Sequence, residues 1–157
     1  MPETSITSTT DVLIIGAGPA GLALACALAD AGFGVHVLEQ QSRAALDQPA
    51  EDGRDIALTH RSRAIMQALG LWERLPADEI ADLKAAQVTN GNSPMVLPFD
   101  GKADGKEQLG WLVPNHRIRE ACFAGADARR EWITIEGDAC VTGLDRSAEQ
   151  ATLTLAD

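Results

Sequence analysis

Three glycines and one acid carry the clearest chemistry in this sequence. Gly16, Gly18 and Gly21 form G-x-G-x-x-G, and Glu39 follows Gly21 by 18 residues. That spacing suits a pyrophosphate. The first glycine permits a tight turn, the second lets backbone approach the phosphates, and the third lets a helix lie close on a strand. Pro19 fits a first helical turn, where its missing N–H is not needed. The free N–H groups and the positive dipole end of that helix would face an anion. An acid at position 39 can accept hydrogen bonds from both hydroxyls of an adenosine ribose. It also opposes a 2′-phosphate, because like charges in contact cost several kcal/mol, so NADP is disfavoured at this motif. The expectation is a bound dinucleotide. The motif alone does not separate FAD from NAD, and an ordinary βαβ unit without ligand is the alternative.

Few other side chains announce chemistry. Arg54, Arg61 and Arg63 make a local basic cluster in an acidic protein. Arg61 and Arg63 read as a solvated helix face. Arg54 follows a glycine in a long loop, which leaves open a phosphate, a flavin ring or solvent. Cys26, Cys122 and Cys140 are odd in number and lack C-x-x-C spacing. They read as buried free thiols of a reducing compartment. His36, His60 and His116 are scattered, with His36 expected to face outward. No nucleophile–base pair and no metal-ligand cluster stands out, so the catalytic and metal assignments are none.

The elements that must position these residues follow from the pattern. Val12 to Ile15 is an unbroken apolar run, as in a strand buried on both faces. A helix is expected from Pro19 to about Ala31, with Leu22, Ala23, Cys26, Ala27 and Ala31 on its sheet-facing side. Gly32 and Gly34 end it. Val35, Val37 and Leu38 make a second strand closed by Glu39. Residues 40–55 read as a polar, irregular loop. Thr59 is placed to cap a helix from His60 to about Gly70, whose apolar side is Ala64, Ile65, Ala68 and Leu69, with Leu71 and Trp72 beyond. Pro76 and Asp78-Glu79 make a connection. Short strands are expected at about 85–89, 95–99 and 109–113, separated by the turn signals Asn90–Pro94 and Asp100–Gly105. They read as an antiparallel excursion, whose apolar residues Met95, Leu97, Phe99 and Trp111 have two readings: lining a pocket, or core packing, which is the default. Asn115 is a good N-cap for a helix to about Arg129. A strand at Trp132–Glu136 and a hairpin of 139–144 with 151–155 complete the reading.

The bulk properties bound the rest. The chain has 157 residues, 45% of them hydrophobic, and a net charge of −10. That is enough for one domain with a sizeable core, and the charge argues against a nucleic-acid partner. No apolar run approaches the roughly 20 residues of a membrane span. Residues 1–10 read as a mobile leader without signal-peptide features.

Several blocks in order carry a resemblance: Gly16-Ala-Gly-Pro-Ala-Gly21, Glu39, Asp52-Gly-Arg-Asp-Ile-Ala-Leu58, Leu69-Gly-Leu-Trp72 and Leu109-Gly-Trp-Leu-Val-Pro-Asn115. Together they resemble the FAD-dependent aromatic hydroxylases of ubiquinone biosynthesis, the UbiH/UbiF/VisC group. Ile56–His60, Ile65-Met66 and Thr89–Pro94 are most similar to its UbiM branch. The resemblance implies a Rossmann-like α/β FAD-binding domain of the p-hydroxybenzoate hydroxylase type, with strands of about 85–113 inserted toward a substrate domain. It implies that Gly16, Gly18, Pro19, Ala20 and Gly21 cradle the FAD pyrophosphate, that Glu39 and Gln40 hold the adenosine end, and that Arg54 and Asn115 contact FAD. The implied reaction inserts one oxygen atom of O₂ into a polyprenyl phenol or demethoxyubiquinol, with NAD(P)H as electron donor. The implied setting is cytoplasmic, peripheral to the inner membrane, among other ubiquinone-biosynthesis proteins.

Members of this group carry a later Gly-Asp motif and more substrate domain. Residues 11–157 are therefore expected to be the N-terminal portion of such an enzyme, with weak or absent flavin and no hydroxylase activity alone. Two alternatives stand beside this reading. One is a different FAD oxidoreductase, such as a reductase or amine oxidase. The other is a nucleotide-binding module without catalysis.

Overall fold

The computed structural model describes residues 9–91, 95–100 and 108–156. Most of the expected leader, and residues 92–94 and 101–105 of the two expected turns, lie outside these. The chain divides into two compact units, Met1–Gln48 with Cys122–Asp157, and Pro49–Ala121.

In the first unit, β1 (Val12–Ile15), β2 (Val35–Leu38) and β8 (Ile133–Glu136) form a parallel sheet in the order β1-β2-β8. The register sets Val12 beside Val35 and Val35 beside Ile133. Helix α1 (Pro19–Asp30) crosses from β1 to β2, with Pro19 in its first turn as expected. Its buried stripe is Leu22, Ala25, Cys26 and Ala29. These recur at i, i+3, i+4 and i+7, the arc that faces one neighbour. Ala27 and Ala31, expected on that side, are exposed because they rotate off the arc. Burying Leu22 contributes on the order of 2 kcal/mol, and it is 1% exposed. Two further expectations are corrected. Ile15 is 58% exposed, because β1 is an edge strand paired only with β2 among the described residues. His36 is not turned outward: its side chain is 16% exposed, with Nε2 2.8 Å from Glu136 Oε2 across the β2–β8 ladder.

The expected irregular loop holds a short helix, α2 (Arg43–Asp47), whose N-cap Ser42 accepts from the Ala45 N–H. Leu46 is its buried anchor. Arg43 pairs with Asp127 and lies over the Phe123 ring. An antiparallel hairpin, β9 (Val141–Arg146) with β10 (Ala151–Leu155), matches the sequence reading. Cys26 and Cys122 are buried, but Cys140 is exposed, just ahead of β9. The expectation of three buried thiols therefore holds for two.

In the second unit, β3 (Asp55–Thr59), β7 (Gly110–Pro114) and β4 (Ala81–Leu83) form an antiparallel sheet in the order β3-β7-β4. Helix α3 (His60–Ala68) starts from Thr59, whose hydroxyl accepts the Ser62 N–H as a cap should. The buried side of α3 is not the expected one. Met66 is buried, while Ala64, Ile65 and Ala68 are exposed. Arg63 takes an inward place. Its guanidinium carbon lies 4.3 Å from the Trp111 ring centre and 5.0 Å from that of Trp72. The ring quadrupoles attract a cation at that position, which corrects its reading as solvated surface.

Strands β5 (Ala85–Thr89) and β6 (Val96–Asp100) form a separate two-stranded sheet. The third expected strand of the excursion, now β7, pairs with β3 and β4 instead. Leu97, Phe99 and Met95 are 56%, 45% and 76% exposed, against the expectation of core packing. Trp111 meets that expectation at 7% exposure. Helix α4 (Asn115–Asp127) follows β7 directly.

Candidate functional site

The glycine turn of the first unit has the form its spacing predicts. Gly16 ends β1 with φ +101°, a conformation that side chains rarely adopt. A Cβ on Gly21 would stand 2.2 Å from the Gly16 carbonyl oxygen, so only glycine lets α1 lie this close to the turn. A Cβ on Gly18 would meet nothing within 4 Å. The backbone at the start of α1 thus borders open space. Gly18 is the N-cap and supplies no side-chain cap, and no acid occupies the first turn. The N-terminal N–H groups of a 12-residue helix are therefore left for an anion.

Glu39 is joined to this turn. Only 7% of it is exposed. Its Oε2 accepts the backbone N–H of Ala17 at 2.8 Å, and its Oε1 accepts that of Gln41 at 2.9 Å. A carboxylate offers about four lone-pair directions, and backbone donors take two of these. The rest suffice for a ribose diol. Sequence reasoning found the acid but not its bond to the loop. Gln40, expected as a cofactor contact, is exposed next to Glu39.

The second unit brings Arg54 and Asn115 together through Asp52. Arg54 donates to Asp52 Oδ2 from Nε at 2.9 Å and from Nη2 at 2.6 Å, and Asn115 donates to the same oxygen from Nδ2 at 2.7 Å. The Asn115 backbone N–H reaches the Arg54 carbonyl at 2.8 Å. Asn115 is the first residue of α4, and its amide is turned to Asp52. The bonds from Arg54 and then Asn115 hold the Asp52 carboxyl well below the usual carboxylate range, and Asp52 in turn raises Arg54. Asp52 is the residue that sequence reasoning missed. Its signal was legible: an aspartate two residues before an arginine, across Gly53 at φ +67°, is an Asx-turn pattern.

Among the described residues no cluster of His, Cys, Asp or Glu could hold a metal ion, and no helix is long and apolar enough to cross a membrane.

The family described as FAD binding domain matches residues 9–151. The ubiquinone hydroxylase UbiM of Neisseria meningitidis is 44% identical over 118 residues, which cover 73% of this chain and 26% of that protein. The ubiquinone hydroxylase UbiL of Rhodospirillum rubrum is 32% identical over 149 residues, covering 94% of this chain and 34% of that protein. The solved structure of the OxyS anhydrotetracycline hydroxylase from Streptomyces rimosus matches with a TM-score of 0.72 and 26% identity, covering 93% of this chain and 28% of that one. The chain thus spans between 26% and 34% of the length of these relatives.

Proposed function

This chain belongs to the FAD binding domain family, and we propose that it supplies the cofactor-binding part of an FAD-dependent aromatic-ring monooxygenase of ubiquinone biosynthesis. The reaction is hydroxylation of a polyprenyl phenol or demethoxyubiquinol, with NAD(P)H as electron donor and O₂ as oxidant. The likeness to two ubiquinone hydroxylases supports the substrate class. The fold is a Rossmann-like FAD-binding domain of the p-hydroxybenzoate hydroxylase type, with added antiparallel strands.

One observation carries the cofactor reading: a glycine turn open at Gly18, closed at Gly21 and bonded to a buried Glu39. In this reading Gly16, Gly18, Pro19, Ala20 and Gly21 hold the pyrophosphate. Glu39, with Gln40 beside it, takes the adenosine ribose. Arg54 and Asn115 are further contacts to FAD. When bound, FAD supplies the redox chemistry of oxygen insertion. The side chains named here bind and orient, and none acts as a nucleophile. Strands at about 85–113 serve the substrate side. The exposed apolar residues Val88, Leu97 and Phe99, which share one face of the β5–β6 ladder, support that assignment. The proposed setting is cytoplasmic and peripheral to the membrane that carries prenylated substrates, alongside other ubiquinone-biosynthesis proteins.

Titration of the chain with FAD, ADP and FMN tests the cofactor reading. FAD and ADP are expected to compete, because both carry the adenosine pyrophosphate end, and FMN is expected not to displace either. Equal displacement by FMN counts against it. Mass spectrometry tests the reaction: the full gene product should add one oxygen atom to a demethoxyubiquinol analogue in the presence of NAD(P)H and O₂. Unchanged substrate counts against the reaction.

A further inference from the structure

Asp52 joins the two downstream candidate contacts. Its Oδ2 accepts three bonds, from Arg54 Nε, Arg54 Nη2 and Asn115 Nδ2. Its Oδ1 accepts the Arg54 backbone N–H at 3.2 Å. An ionised carboxylate only accepts hydrogen bonds. The end of the Asn115 amide that faces it must therefore be the NH₂ group, and the carbonyl oxygen is left as the end that Asp52 does not engage. Asn115 is 9% exposed, so this orientation is built in rather than solvent-averaged. The Arg54 guanidinium is held along its Nε–Nη2 edge while 67% of its side chain stays exposed.

We propose that Asp52 is a positioning residue, which sets Asn115 to offer its carbonyl oxygen and Arg54 to offer its outer guanidinium edge to the cofactor. This inference rests on the reading of Arg54 and Asn115 as FAD contacts. The pair presents one acceptor and one cation. An acceptor suits a sugar or polyol hydroxyl, and a guanidinium suits a phosphate or carbonyl oxygen. Closing the turn at Gly53 requires only Oδ1. The three bonds to Oδ2 go beyond what a turn needs.

Asp52→Asn separates the two roles. Asparagine still makes an Asx turn, but it no longer offers the negative oxygen shared by both side chains. The first readout needs no ligand. In the free chain, the Asn115 side-chain NH₂ resonances are expected to be protected from exchange in wild type and to lose that protection and shift in Asp52→Asn, with the backbone spectrum otherwise retained. Unchanged Asn115 side-chain resonances overturn the proposal. The second readout is FAD affinity by fluorescence quenching in the full gene product, as wild type, Asp52→Asn, Asn115→Ala and the double variant. Each single change is expected to weaken binding about tenfold, the scale of one lost hydrogen bond. The double variant is expected to fall well short of the product of the two. Losses that multiply overturn the proposal. A wild-type full gene product that takes no FAD sinks the cofactor reading instead, and the side-chain resonances still decide whether Asp52 orients Asn115.

Discussion

The Glu39 carboxylate braces the turn that it faces: its Oε2 accepts the Ala17 N–H at 2.8 Å, one residue into the glycine motif. The acid at the end of β2 and the loop at the end of β1 are therefore one unit before any ligand arrives. Its second oxygen holds the Gln41 N–H, which fixes the chain leaving β2.

Glu39→Gln tests this bracing. The amide carries one acceptor and one donor, so one of the two backbone N–H groups meets an NH₂ group. Leaving a buried donor unpaired costs about 1–3 kcal/mol. Urea denaturation should show that loss, together with weaker FAD binding. A variant as stable as wild type would mean that the two bonds contribute nothing net.

Gly21 and Gly18 should fail differently when changed to alanine. At Gly21 the new methyl meets the Gly16 carbonyl oxygen at 2.2 Å, and forced overlap of this kind costs about 1–3 kcal/mol. At Gly18 the methyl enters open space, so stability should stay within about 1 kcal/mol of wild type. In the proposed site FAD affinity should still drop about tenfold or more there, because that reading has backbone at Gly18 approach phosphate. Melting curves and FAD titrations of the two variants separate these outcomes.

Arg63 spans two indoles, and Arg63→Met should reveal what the charge contributes. Methionine keeps much of the apolar contact but loses the cation, a change of about 0.5–2 kcal/mol. Tryptophan emission should shift, since Trp72 and Trp111 both lie against the guanidinium. An unchanged spectrum and midpoint would place Arg63 outside the packing.

The three thiols should react unequally. Cys140 is exposed and should label with iodoacetamide in the native state, while Cys26 and Cys122 label only on unfolding. Burial, and secondarily the nearby Cys26, pushes Cys122 up from 9.0 to about 12. A raised pKa means that the native state keeps a proton that the unfolded state loses. The contribution of Cys122 is therefore complete below about pH 8.5, the usual value for an unfolded thiol. It declines as the pH rises toward 12. Chemical denaturation across that interval should show the decline in wild type and a shallower one in Cys122→Ala.

Local rules made much of the fold legible. An apolar run ending in glycine reads as β1, Pro19 after Gly18 reads as a helix start, and Thr59 before Ser62 reads as a cap. Each depends on residues within a few positions of one another. Strand partners did not follow. Residues 110–114 read as part of one excursion with β5 and β6, yet they pair with β3 across about 50 intervening positions. Nothing in a strand's alternation names its partner. The faces of α1 and α3 were misplaced by a residue or two, because apolar content marks a helix more firmly than it marks the arc that is buried.

Residue type and spacing by themselves offered three glycines and an acid at the distance that suits a pyrophosphate and a ribose. Arg54 and Asn115 entered as expected cofactor contacts through the family resemblance. Only the tertiary structure decided which groups act together. It bonded Glu39 to Ala17 and gathered Arg54 and Asn115 on Asp52, 63 positions from Asn115. The physical reason is that a hydrogen bond depends on approach within about 3 Å and on direction, and folding alone brings distant residues to that range.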